Sequence, residues 1–312
     1  MKRMKIGIIG TGGVGGYFGA KLAKAGNDVI FIARGEHLKA MLEHGLQIKS
    51  IKGDFTIKPV NATHHLETLQ DAAIIILATK AWQVKEVATQ LKPIIDPTTI
   101  ILPLENGILS SEELLEVLPN HHVLGGLCRI ISKIQAPGII EHVGVNPTIT
   151  FGELNNEATQ ATETLKKLFD QAGIESYHAK DIQAERWKKF TSICVSGLLA
   201  LTRTNYGELR STPETRALMI QLYHEIVAVA KAAHINLPDD FVDKTIAITD
   251  TLPPDSNSSM ARDIWEGKPS ELEYQNGTIV RLGKKFNIQT PVNEFIYSCL
   301  LPMEQKAREN HR

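Results

Sequence analysis

Only three cysteines occur in the 312 residues, Cys128, Cys194 and Cys299, and none has metal-ligand spacing. So few thiols, odd in number and far apart, argue against a disulfide framework. They fit a reducing, cytoplasmic compartment and are expected as small hydrophobes in the core. Net charge is almost missing as well: 34 basic and 35 acidic residues leave −1. A general nucleic-acid or anionic-membrane binder carries a basic excess, so neither partner is expected. No uninterrupted apolar run is long enough to span a bilayer, and the basic start Met1–Lys5 meets glycines too soon to build a signal-peptide core. The 11 histidines include two adjacent pairs, His64-His65 and His121-His122, but no pair four apart on a helix face, so no metal is expected. Repeats and low-complexity tracts are absent too.

The composition that remains, 43% hydrophobic and 22% charged, is that of an ordinary globular protein, and the length favours two domains. Short apolar runs at Ile6–Ile9, Val29–Ile32, Ile74–Ala78 and Thr99–Leu104 alternate with helical stretches at Tyr17–Ala25 and Trp82–Leu91. Val123 and Leu124 begin a weaker run. Such alternation implies parallel βαβ units in a doubly wound sheet. Leu46–Val60, with Gly53-Asp54 at its middle, reads as a hairpin-like insertion. Pro137–Gly152 reads as extended chain, Asn156–Ala172 as a helix stopped by Gly173, and Ile174–His178 as a last strand. Beyond Ala179 the pattern is helical: Trp187–Leu201, Pro213–Ala233, Phe241–Thr249 and Glu271–Phe286, with a polar loop at Pro253–Ser258. The expected fold is a Rossmann-like α/β N-terminal domain, residues 1–178, and a separate all-α C-terminal domain, residues 179–312.

Gly10-Thr11-Gly12-Gly13-Val14-Gly15 follows the first strand and opens the first helix, the context in which G-x-G-x-x-G binds a dinucleotide. Gly10 permits the tight turn, Gly12 lets the backbone approach the pyrophosphate, and Gly15, with Gly19, lets the helix pack on the strand. The helix N-terminus offers free N–H groups to phosphate. The second strand ends Phe31-Ile32-Ala33-Arg34, without the acid that binds the ribose 2′-OH of NAD. Arg34 carries a planar donor fork suited to a 2′-phosphate, so NADPH is the expected cofactor.

Four further segments carry candidate chemistry. Thr79-Lys80 lies at a strand's carboxyl end, where ligands bind in open α/β sheets. Glu105-Asn106-Gly107 follows the next strand; the Asn-Gly step makes a turn, and its amide can bind substrate or the nicotinamide ribose. Lys188 and Lys189 sit in Glu185–Phe190, at the opening of the helical half. Ser258–Asp263 is followed by Gly267–Glu271, in which Ser270 reads as a helix N-cap and Glu271 as a first-turn acid.

Together, Gly10-x-Gly12-x-x-Gly15, Thr79-Lys80-Ala81, Asn106-Gly107, Trp187-x-Lys189-Phe190, and Ser258-Ser259-Met260-x-x-Asp263 with Glu271 resemble the ketopantoate reductase (2-dehydropantoate 2-reductase) family over essentially the whole chain. The resemblance implies NADPH-dependent reduction of a 2-keto acid to a 2-hydroxy acid, on the route to pantothenate and coenzyme A. It implies Lys189 as general acid, Glu271 at the substrate's hydroxyl or ketone, and Asn106, Ser259 and Lys80 as substrate contacts. Lys80, Asn106 and Glu271 are expected to touch the cofactor too, along with Gly10, Thr11, Gly12, Gly13, Val14, Gly15 and Arg34. The chemistry agrees: hydride arriving at a ketone carbon leaves charge on oxygen, which a nearby cation stabilises and protonates. Two positions depart from the family pattern. Ile193 and Gly197 stand where many members carry substrate-binding asparagines, and a lost hydrogen bond to substrate alters selectivity. A reductase of another 2-keto acid is therefore the alternative, and a non-catalytic NADPH-binding protein a third reading that leaves Lys189 and Glu271 without purpose. A homodimer through the helical domain remains open.

Overall fold

The computed structural model describes residues 4–119 and 121–311. Contacts divide the chain into two units, Met1–Glu105 with Leu109–Ile182, and Asn106–Ile108 with Gln183–Arg312. The expected break after residue 178 falls just before this boundary. The transfer of residues 106–108 to the second unit was not anticipated.

In the first unit, runs of β-branched residues become strands buried on both faces, as parallel strands must be. In chain order they are β1 (Lys5–Ile9), β2 (Asp28–Ile32), β3 (Leu46–Ser50), β4 (Phe55–Ile57), β5 (Ala62–Thr63), β6 (Ile74–Leu77), β7 (Ile100–Pro103), β8 (His122–Val123), β9 (Gly125–Ala136), β10 (Ile139–Gly152) and β11 (Glu175–His178). The helices are α1 (Gly13–Lys24), α2 (Gly35–His44), α3 (Val84–Leu91), α4 (Ser110–Val117) and α5 (Gln160–Gln171). Six strands form a parallel sheet in the order β5-β2-β1-β6-β7-β8. The two-residue period sorts its side chains. Ile6, Ile8, Phe31, Ile74 and Ile76 enter one core with α1 and α5. Ile9, Ile30, Ile32, Ile75 and Leu77 enter the other with α3 and α4.

A second, mixed sheet runs β11-β10-β3-β4, with β9 antiparallel to β10. The hairpin expected at 46–60 is present, Leu46 opposite Ile57, and the extended stretch 137–152 contains β10. Strand β9 escaped the sequence reading because its outer half, from Arg129 onward, is largely exposed and mixes Arg129, Ser132, Lys133 and Gln135 with isoleucines. Helix α1 packs against strands of both sheets. That placement explains its glycines: a Cβ at Gly16 would lie 2.8 Å from Ile140, and one at Gly19 would lie 2.6 Å from Phe31. Helix α5 starts later than expected, where Thr159 caps it, because Asn156 adopts a left-handed turn at φ 65°.

In the second unit every regular element among the described residues is a helix: α6 (Ile182–Cys194), α7 (Ser196–Thr202), α8 (Tyr206–Ser211), α9 (Pro213–Ala232), α10 (Phe241–Thr251), α11 (Ser259–Trp265), α12 (Asn276–Phe286) and α13 (Pro291–Glu309). A buried polar chain ties four of them. The Glu225 carboxylate on α9 accepts from Val292 N at 2.9 Å, Asn293 N at 3.0 Å and Asn293 Nδ2 at 2.8 Å, satisfying the open amides at the start of α13. Asn276 Nδ2 donates to Asn293 Oδ1 at 3.0 Å and to Cys194 O at 3.2 Å.

Two helix expectations are corrected here. Trp187–Leu201 is two helices separated at Val195, and Asn276 takes the carbonyl of Cys194 at the break. The helix expected from Glu271 begins at Asn276, and residues 271–275 form turns instead. Cys128 and Cys194 are buried as expected, whereas Cys299 is exposed. No helix among the described residues is long and apolar enough to cross a membrane. No cluster of three or more His, Cys, Asp or Glu among them is arranged to hold a metal ion.

Candidate active site

In the first unit the strand order reverses between β1 and β6, so the crevice for a ligand opens at their carboxyl ends, after Ile9 and Leu77. Gly10 stands there at φ +90°, and a Cβ on it would fall 2.5 Å from Ala78 O. Gly15 crosses so close that its Cβ would lie 2.3 Å from Gly10 O. A Cβ on Gly13 would fall 2.5 Å from Ser132 O on β9, whereas nothing approaches within 4 Å of the side-chain position of Gly12. Val14 packs on the core, and Thr11 fastens the loop to β2, its Oγ1 donating to Ile32 O at 2.9 Å. Helix α1 starts at Gly13 with no side-chain cap and no acid in its first turn. The loop therefore presents open amide donors and one unobstructed backbone face, which fits a dinucleotide pyrophosphate.

Arg34 caps α2 in extended conformation, makes no side-chain capping bond, and is exposed. It follows the buried Ala33, so no carboxylate occupies the tip of β2. Lys80 is exposed just past β6, its Nζ 5.7 Å from the Trp82 ring centroid and its backbone N–H donating to Gln83 Oε1 at 3.2 Å. Glu105 Oε1 accepts from both N and Oγ1 of Thr79, each at 3.1 Å, latching the ends of β6 and β7 together.

The second unit brings together residues far apart in sequence. Asn106 Nδ2 donates to Glu271 Oε2 at 3.0 Å, and Glu271 is buried. Helix α6 separates its two lysines by burial: Lys188 pairs with Glu185 at 2.8 Å at the surface, whereas Lys189 is only 9% exposed. The two lie about 100° apart on the helix and so face different surroundings; the resemblance through Trp187-x-Lys189 named Lys189, and burial separates it from its neighbour. One turn earlier, Arg186 is buried and donates to Gln183 Oε1 and to Ile108 O.

Ser259 opens α11 and is exposed; its neighbour Ser258 is the cap, accepting from Ala261 N at 3.1 Å. The structure does not join Ser259 to Asn106 and Glu271 by a side-chain hydrogen bond among the described residues. Ser270 is not a helix cap, contrary to expectation. Its N and Oγ donate to the buried Glu304, which also pairs with Arg308 at 2.7 Å. Glu271, five residues before α12, is correspondingly held by Asn106 and not by a helix dipole.

Ile193 is half-buried, and Gly197 has a clear reason to be glycine: a Cβ there would lie 2.2 Å from Asn276 Oδ1. An amide from α12 thus fills the space a side chain at 197 would need. Asn276 and Arg186 were missed in the sequence. The signal for Arg186 was its place beside Trp187-x-Lys189; Asn276 offered none beyond lying five residues after Glu271.

A family model described as ketopantoate reductase PanE/ApbA matches residues 6–156, and its C-terminal counterpart matches residues 181–304. A 2-dehydropantoate 2-reductase from Nostoc sp. is 32% identical over 314 aligned positions, covering 99% of this chain and 98% of its own. A PanE/ApbA family ketopantoate reductase from Ralstonia eutropha JMP134 superposes with a TM-score of 0.91 at 29% identity, over 98% of this chain and 100% of that one. A D-mandelate dehydrogenase solved with NADH and anilino(oxo)acetate superposes with a TM-score of 0.87 at 25% identity, over 98% and 100%. With both halves matched and a full-length relative at 32% identity, this chain, an oxidoreductase, belongs to the ketopantoate reductase family.

Proposed function

We propose that this protein reduces 2-dehydropantoate to pantoate with NADPH, Lys189 serving as general acid. The observation that carries the reading is the Asn106–Glu271 hydrogen bond, in the same unit as a helix that buries Lys189. Family membership supports the reaction class. When bound, the nicotinamide supplies hydride to the ketone carbon. The Lys189 ammonium stabilises the oxyanion left behind and donates its proton to that oxygen. Glu271 accepts the hydrogen bond of a substrate hydroxyl, and the Asn106 amide holds that carboxylate in place. Lys80 and Ser259 complete the substrate contacts. Gly10 through Gly15 take the pyrophosphate, and Arg34 takes the 2′-phosphate.

A second reading, reduction of a different 2-keto acid, is favoured by the apolar Ile193 and the filled space at Gly197. One structural neighbour is a D-mandelate dehydrogenase, so other hydroxy acids are a concrete alternative. Steady-state oxidation of NADPH and NADH with 2-dehydropantoate, shorter branched analogues and an aryl keto acid separates the two. The first reading expects the highest kcat/KM for 2-dehydropantoate with NADPH, and a larger value for any other keto acid replaces it. Lys189→Ala is expected to lower kcat by roughly 10²–10⁴-fold with the NADPH Kd unchanged. Near-normal turnover would remove Lys189 from its role.

A further inference from the structure

We infer that Arg186 is a positioning residue that fixes the Asn106–Ile108 loop, and with it Glu271, relative to Lys189. The inference rests on the reading of those three residues as the substrate-handling groups. Residues 106–108 follow β7 in sequence but belong by contact to the helical unit. Three attachments account for this. The Asn106 amide is bonded to Glu271. Gly107, at φ +115°, passes so close to the turn that a Cβ on it would lie 3.2 Å from Tyr274 O. Tyr274 N in turn donates to Glu271 O at 3.0 Å, so loop and turn share one frame. The third attachment, to α6, runs from the Arg186 guanidinium to the carbonyl of the buried Ile108.

Arg186 lies one helical turn before Lys189, on the same helix. Its second nitrogen is fixed by Gln183 Oε1 at 2.9 Å, so the planar fork is oriented before it meets the loop. A buried arginine reaching a main-chain carbonyl is costly to desolvate, and its removal leaves Ile108 O buried without this donor. Without it, Asn106 and Glu271 stay paired with each other but lose their registration against α6. The ketone then meets a proton donor and a carboxylate that are no longer held at one spacing.

The test compares Arg186→Ala and Arg186→Lys with the wild type. Lysine keeps the charge and the stem but cannot serve Gln183 and Ile108 in one plane. The expected result is a rise in KM for the keto acid of roughly 10- to 100-fold in Arg186→Ala and a smaller rise in Arg186→Lys, with NADPH Kd unchanged. A purely structural role would lower the active fraction, and so kcat, while leaving KM alone; an unchanged KM in the folded variants overturns the inference. If Arg186→Ala does not fold, Arg186→Lys carries the same comparison. If the wild type reduces no keto acid, the functional reading fails on its own. Hydrogen exchange at the amides of residues 107–110 then decides the inference: faster exchange in Arg186→Lys supports the clamp, and identical exchange refutes it.

Discussion

Replacing Arg34 by alanine tests the proposed preference for NADPH with little else in the molecule disturbed. Its side chain is exposed, forms no ion pair among the described residues, and makes no capping bond to α2. Its loss should therefore change stability by no more than about 0.5 kcal/mol. A guanidinium hydrogen-bonded to phosphate contributes about 1.5–3 kcal/mol. Because Arg34 is exposed, solvent screening reduces this to about 1–2 kcal/mol. At about 1.4 kcal/mol per tenfold, the NADPH Kd should rise roughly 5- to 30-fold. NADH lacks the 2′-phosphate, so its Kd should stay within about twofold. Titration calorimetry with both nucleotides at about 20 and 200 mM salt supplies the check, because the wild-type preference should shrink as salt screens it and the variant's should not respond. Equal weakening of both nucleotides would mean that Arg34 shapes the loop and reads no phosphate. An unchanged ratio would mean that the 2′-phosphate is read elsewhere.

Gly197→Asn should destabilise the protein by about 1–3 kcal/mol, since its Cβ would stand 2.2 Å from Asn276 Oδ1 and 2.7 Å from Ile296. Thermal unfolding measures this, and the double variant with Asn276→Ala should recover part of the loss; an unshifted Tm in Gly197→Asn would contradict the packing. His37 supplies a pH dependence. Burial pushes its imidazole below the ordinary value of 6.5, partly opposed by a backbone hydrogen bond at Thr11, and its Nδ1 accepts from Gly138 N at 3.0 Å. The unfolded chain therefore takes up the proton first as pH falls, so stability is full above about 6.5 and declines as pH drops through the lower folded value. Urea midpoints between pH 7.5 and 5 should show this decline in the wild type and a smaller one in His37→Asn, and parallel profiles would exclude the histidine as its source.

What the sequence alone determined was local. The strand–glycine–helix start, the missing acid before Arg34, the hairpin at 46–60 and the helical second half depend on a few consecutive residues, whose backbone preferences and periodicity are set within a turn or two. The same holds for Asn106-Gly107, read as a turn and observed as a bend in the chain, with Gly107 at φ +115°. What only the tertiary structure decided depends on contacts between distant segments. Strand β9 has little pattern of its own and is paired along most of its length with β10. Lys188 and Lys189 are equivalent by composition, and only the packing around α6 buries one of them. Glu271 appears in sequence to begin a helix, but Ser270 is drawn onto Glu304 from 34 residues away, and α12 begins only at Asn276. Gly197 looks like a lost contact until Asn276 is found in its place. Burial and long-range hydrogen bonding are properties of where chains meet, and a one-dimensional pattern carries them only where one face repeats.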